Sequence, residues 1–247
     1  MARPPRTIAV PELFLGLLSI GLAFVLVAHI FANVIHEVKH TNDTISITGS
    51  AKKPISSNLV RWHLSVSGEA SRPAAAARLQ RRRLAAVLAF LRRAGVPAKA
   101  ITPAVVQSEQ VVIQLSKKRR RVSYRVSQGL DVSTRDIDVV ERVAPRVGEL
   151  LERGVEVSAQ PLEYLSTELT EAKLGALEAA TAEAHHRAEI LVKGLGGKLG
   201  RMRSSSLGVY QITPRDSTDV SDYGINDTSS REKDVTAVVT ATFTVER

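Results

Sequence analysis

Apolar and polar positions follow three different rhythms along this chain. At the front, residues 13–35 (LFLGLLSIGLAFVLVAHIFANVI) are almost continuously apolar and hold no Lys, Arg, Asp or Glu. These 23 residues, at about 1.5 Å per helical residue, extend roughly 34 Å, enough for a hydrocarbon core of roughly 30 Å. The pattern predicts one transmembrane helix that partners the lipid bilayer through residues 13–35. Arg3 and Arg6 precede the run, while Lys39 follows it with Glu37 and Asp43, a bias that favours a cytoplasmic N-terminus. The expected protein is then single-pass in the cytoplasmic (inner) membrane. Residues 1–40 form its cytoplasmic tip, helix and juxtamembrane segment, and 41–247 a soluble extracytoplasmic domain. A cleaved signal peptide is the rival reading, but the run exceeds the roughly 7–15 residues of an h-region and no clean A-x-A motif closes it.

From residue 44 the rhythm becomes period two, then alternates with period 3.6. Thr44–Ser50 reads as a strand. Leu59–Ser67 follows with Val60, Trp62, Leu64 and Val66 on one face and Arg61, His63, Ser65 and Ser67 on the other, which predicts a sheet with one buried side. Ser71 and Pro73 open a helix whose Ala77, Leu84, Leu88 and Leu91 form a stripe, and Gly95 with Pro97 closes it. Val105–Ser116 and Val122–Thr134 predict a long hairpin, because Val122, Tyr124, Val126, Leu130 and Val132 keep one register. Asp136 caps a helix carrying Ile137, Val140, Val143, Val147 and Leu150, in which Pro145 predicts a kink or break.

A short strand at Leu162–Ser166 precedes the longest helix of this region, Leu169–Leu195. Leu177, Ala180, Ala184, Ala188, Leu191 and Leu195 line one face, and the alanines predict close packing on a sheet. Gly194, Gly196 and Gly197 end it. Strands Ser204–Thr213 and Val235–Val245 complete the chain, separated by a polar loop. Helices between antiparallel strands define the expected fold class: α+β, preceded by the single transmembrane helix.

Composition narrows the chemistry. There is no cysteine, which removes disulfides, thiolate catalysis and cysteine metal sites. The net charge is +9; residues 1–40 contribute +1 through Arg3, Arg6 and Lys39 against Glu12 and Glu37, so the remainder carries +8 and favours anionic surfaces. Its sharpest feature is the hairpin tip KKRRR, comprising Lys117, Lys118, Arg119, Arg120 and Arg121. A solvated turn is the plain reading. A contact with anionic lipid or envelope polymer is the functional one, since a basic residue near such a surface contributes about 1 kcal/mol. Nucleic acid is not expected: aromatics make up 4% of the chain, too few for a stacking platform.

No enzyme constellation emerges. His185 and His186 are adjacent on a helix and point about 100° apart, unlike an i, i+4 metal pair. His63 and Asp131 lie on separate strands with no spacing to link them. Ser204–Gly208 (SSSLG) lacks a G-x-S-x-G elbow. Gly194–Gly200 (GLGGKLG) lacks Walker A spacing and follows a helix, as a C-cap does. No cofactor or metal is expected. The loop Pro214–Asp234 carries six acidic residues without EF-hand spacing, and its expected role is to meet basic patches on a neighbouring subunit.

The segments ISITGSAKKPISSNLVRWHLSVSGEA and EAATAEAHHRAEILVKGLGGKLGRMRSSSLGVY, with the closing VTAVVTATFTVER, resemble the SIMPL domain family (DUF541) over residues 44–247. The shared features are the ITGSA opening, the A-x3-A-x3-A run ending in leucine–glycine, and the valine–threonine strand. The resemblance implies an α+β fold and bacterial envelope proteins, secreted or anchored by one helix, some linked to oxidative stress tolerance. It also implies a homo-oligomer, and it brings no catalytic residues. The function expected on these grounds is a non-enzymatic, membrane-anchored envelope scaffold, with binding of anionic lipid or polymer through Lys117–Arg121 as the alternative.

Overall fold

The structure, a computed structural model, describes residues 14–27 apart from 15 and 19, then 43–116 and 119–246. The expectation of a membrane span is corrected here. The described helical residues at the front fall between 14 and 27. Among the described residues no helix is long and apolar enough to cross a membrane, so the single-pass inner-membrane placement does not stand. The rest of the 13–35 run lies outside the described residues.

Strands β1 (Thr44–Ser56) and β2 (Leu59–Ala70) come first. In β2 the alternation behaves as its period predicts: Val60, Trp62, Leu64 and Val66 are at most 1% exposed, while Arg61 and His63 face solvent. Helix α1 (Pro73–Arg93) starts with Pro73 in its first turn, where the missing N–H costs nothing. It stops at Gly95, whose φ is +96°. The Val96 amide bonds the Leu91 carbonyl and the Gly95 amide that of Arg92, the paired pattern of a Schellman cap.

The buried face of α1 is Ala76, Gln80, Val87, Phe90 and Leu91, rotated by about one residue from the expected stripe, with Leu84 and Leu88 packed at its flank. The cause is Gly68 of β2. A Cβ there would lie 2.5 Å from the Gln80 nitrogen and 2.7 Å from the Ala76 carbonyl oxygen. Helix backbone therefore sits directly on strand backbone, which only a residue without a side chain permits.

A 3-10 turn (Ala98–Ala100) leads into β3 (Ile101–Ser116) and β4 (Arg119–Thr134). This is the expected hairpin with longer arms. The next helix breaks at Pro145: α2 (Ile137–Val143), a 3-10 turn (Ala144–Val147) and α3 (Gly148–Glu152) replace one continuous rod. Its five apolar positions nonetheless remain buried. Strands β5 (Val157–Ala159) and β6 (Glu163–Leu165) follow.

Helix α4 (Leu169–Gly194) precedes β7 (Lys198–Leu207), β8 (Gln211–Pro214), β9 (Ile225–Asn226) and β10 (Glu232–Glu246). Its buried stripe is Ala172, Ala176, Ala180, Ala184, Ala188 and Val192, a strict i, i+4 row. Leu191 and Leu195, expected inside, are exposed. Small residues win that face because they admit close approach, as where Ala188 meets Ala241 and Phe243.

One sheet has the order β3-β4-β2-β5, with β6 also on β2; the other runs β1-β10-β8-β9, with β7 also on β10. The fold is α+β, mixed sheets with helices. Contacts divide the chain into two units, residues 1–49, 181–207 and 239–247, and residues 50–180 and 208–238. The second unit holds the large core, where β2 and β4 meet α1, α2 and α3 through Trp62, Leu64, Leu91, Leu130 and Val140. In the first unit, Ala188, Ala241 and Phe243 gather Ile45, Ile47 and Leu199. Replacing Gly68 by Ala is expected to lower unfolding stability by about 1–3 kcal/mol, the usual range for forced overpacking. Urea denaturation measures it.

Candidate functional site

The residues singled out for binding sit at the far end of the β3–β4 hairpin. Strand β4 pairs with β2 from Val60↔Thr134 to Ala70↔Tyr124. There β2 ends and the chain turns into α1. From Val111↔Ser123 to Ser116↔Arg119, β3 and β4 pair with each other alone, giving a two-stranded ribbon roughly 20 Å long at about 3.3 Å per residue. Such ribbons are marginal alone, so the base must be fastened.

Glu69, at the end of β2, does the fastening. Ser123, 3% exposed, donates its hydroxyl proton to one Glu69 carboxylate oxygen. Arg125 donates to the other at 2.9 Å and reaches Glu109 of β3 at 3.2 Å. A single guanidinium on β4 thus ties down one carboxylate from each of β2 and β3. The Ser123 hydroxyl first, and Arg125 next, hold the Glu69 carboxyl below its ordinary range, because both stabilise the ionised form.

Lys117 and Lys118 lie outside the described residues. Arg119 opens β4 opposite Ser116, Arg120 pairs with Gln114 and Arg121 with Ile113; Arg120 and Arg121 are exposed. Val112, opposite Val122, and Ile113 are exposed at 52% and 46%. The register therefore interleaves basic and aliphatic side chains on the ribbon. Charge alone is legible in KKRRR; the aliphatic partners become visible only when Val112 is set opposite Val122.

The other candidates resolve into structural roles. His63 and Asp131 are direct partners in the β2–β4 register, with Nδ1 and Oδ1 2.8 Å apart and both side chains about half exposed. Sequence spacing had not linked them, although carrying the Leu64↔Leu130 register one step would have. His185 packs edge-on against Phe243 with ring centres 5.7 Å apart. Among the described residues no group of three or more His, Cys, Asp or Glu is arranged for a metal. The glycine run is a Schellman cap: the Gly197 amide bonds the Val192 carbonyl and the Gly196 amide that of Lys193, with Gly196 at φ +80°. Ser204, Ser205 and Ser206 are strand residues paired with β10. An open groove of about 660 Å³ beside α4, lined by His186, Glu189, Ile190, Lys193 and Lys198 among others, assembles no nucleophile with a base.

Three acidic residues between β8 and the start of β10, namely Asp227, Glu232 and Asp234, make contacts within their own unit. Asp227 accepts from the Ser229 and Ser230 amides at 2.9 and 3.2 Å. Arg231 pairs with Asp138 at 2.6 Å and Glu141 at 3.1 Å. Lys233, 3% exposed, donates to the carbonyls of Tyr164 (2.7 Å) and Asp227. Burial pulls its pKa down against the raising effect of Asp227. Asp234 takes the Asp216 amide.

These features define an α+β domain with a fastened basic ribbon. A family model described as SIMPL, a protein of unknown function (DUF541), matches residues 45–243, a span that includes the ribbon. The chain belongs to the SIMPL (DUF541) family. Among curated proteins none matches it.

Two outcomes test the site. A Lys233→Met variant removes the buried ammonium that donates to the Tyr164 and Asp227 carbonyls and is expected to lose about 1–3 kcal/mol in denaturant unfolding. For Glu69 the folded pKa is depressed, so its contribution is present above the ordinary value of 4.5 and is lost as pH falls through the lowered value. The protection factors of the ribbon amides, taken against the intrinsic exchange rate at each pH, should accordingly fall on acidification from about pH 6 to about pH 3 in the native protein. In Glu69→Gln the protection factors are expected to be low at both ends, with that step absent.

Proposed function

We propose that this SIMPL-family chain is a non-enzymatic binding module that holds an anionic surface through its β3–β4 ribbon. The observation that carries this is the interleaving on the ribbon: Arg120 and Arg121 exposed beside Val112 and Ile113, beyond the end of β2 and fastened at Glu69. Arginines supply charge-assisted bonds to phosphate or carboxylate oxygens. Valine and isoleucine supply apolar area for shallow insertion between lipid headgroups. The +9 charge of the chain adds long-range attraction that salt screens.

A second reading, a self-associating scaffold, is favoured by a different observation: β3 lies at the edge of its sheet. The two readings share Val112 and Ile113 and are told apart by the tip arginines, which only the first uses.

Flotation with vesicles of phosphatidylglycerol and phosphatidylcholine tests the first. Binding is expected to the anionic vesicles alone and to fall as salt rises. Changing Lys117, Lys118, Arg119, Arg120 and Arg121 together to Gln should weaken it at least tenfold, at about 1 kcal/mol for each residue that reaches the surface. Equal binding by this variant overturns the reading. Retention on an acidic polysaccharide without vesicle binding would move the ligand from lipid to polymer.

A further inference from the structure

Strand β3 pairs with β4 on one side, and the strand order of its sheet ends there. Between irregularities at Pro103/Val106 and Gln114/Ser116 its pairing with β4 is uninterrupted. Over this stretch the sole charged residue is Glu109, already held by Arg125. Proteins usually blunt such an edge with Lys, Pro, a bulge or a covering element, since its outward N–H and C=O groups are a template for another strand. None of the first three occurs from Val106 to Ile113. Val105 and Val106 at one end are exposed at 84% and 51%, Val112 and Ile113 at the other at 52% and 46%. The edge is therefore long, straight and apolar at both ends.

We propose that this edge pairs antiparallel, about a two-fold axis, with β3 of a second copy of the chain. The inference rests on the scaffold reading and names its surface. Three observations select a second copy. First, the strand is self-complementary about Ser108: that axis sets Val105 opposite Val111 of the second copy and Gln107 opposite its Glu109, an apolar pair and a hydrogen-bonding pair. An axis at Glu109 would set two carboxylates face to face. Second, antiparallel pairing points the two basic ribbons in opposite directions. Each tip lies about ten residues from the axis, so the tips stand roughly 60 Å apart, several Debye lengths at physiological salt. A parallel pairing would bring the tips together and repel. Third, a two-fold contact is closed: each copy uses its β3 edge on the other, so this edge leaves no template to propagate.

The absence of cysteine makes the test direct. Residues opposite each other across an antiparallel axis have Cα atoms about 4.5–5.5 Å apart, within disulfide reach. Ser108→Cys in the full chain is expected to give a disulfide-linked dimer on mild oxidation, whereas Asp219→Cys on the exposed loop stays monomeric on a denaturing gel. Light scattering at about 50 μM should show a dimer for the native protein, since interfaces in the micromolar range are populated there. Val105→Lys, at a position already open to solvent, is expected to weaken it at least tenfold while the circular dichroism melt stays unchanged. A native monomer overturns both the inference and the scaffold reading. A dimer that persists in Val105→Lys, or that leaves Ser108→Cys unlinked, overturns the edge assignment and leaves the scaffold reading standing on some other surface.

Discussion

The pairing of β2 with β4 is the constraint on which the larger unit depends. Eleven residue pairs run without a slip from Val60↔Thr134 to Ala70↔Tyr124. Because side chains alternate, one register decides both faces at once. It turns Val60, Trp62, Leu64, Val66, Leu130 and Val132 toward α1, α2 and α3. It turns His63 and Asp131 outward as neighbours, and it puts Glu69 within reach of Ser123 and Arg125. A one-residue shift would expose the tryptophan and bury the histidine.

The ribbon is a by-product of where that pairing stops. Strand β2 yields to α1 because Gly68 lets the helix backbone lie on the strand and Pro73 starts the turn. Beyond that point β3 and β4 have no third strand beneath them. A two-stranded ribbon displays both its faces to solvent, at the expense of stability. The Glu69–Arg125–Glu109 group offsets that weakness at the base.

Several readings of the sequence survive contact with the structure because they rest on periods that local sterics enforce. The alternation in β2 and β4, the break at Pro145 and the glycine caps after Arg93 and Gly194 are of this kind. Others moved. The α1 stripe rotated because a glycine on a different element determines how close the helix may come. Leucine lost to alanine on α4 because propensity and hydropathy do not encode the distance between a helix and its sheet. The apolar front of the chain, read as a membrane span from composition and length, is not matched by a crossing helix among the described residues.

What the sequence determined by itself was the alternation of its main strands and helices, the amphipathic faces of β2 and β4, the absence of cysteine chemistry and the basic tip. Each follows from residue type and spacing within one element. What only the tertiary structure decided was which residues meet: His63 with Asp131, Glu69 with Ser123 and Arg125, Lys233 with the Tyr164 and Asp227 carbonyls, and exposed Val112 and Ile113 beside the tip arginines. Those contacts join residues six to 69 positions apart. They depend on strand register and on the approach of one backbone to another, quantities that no local pattern contains.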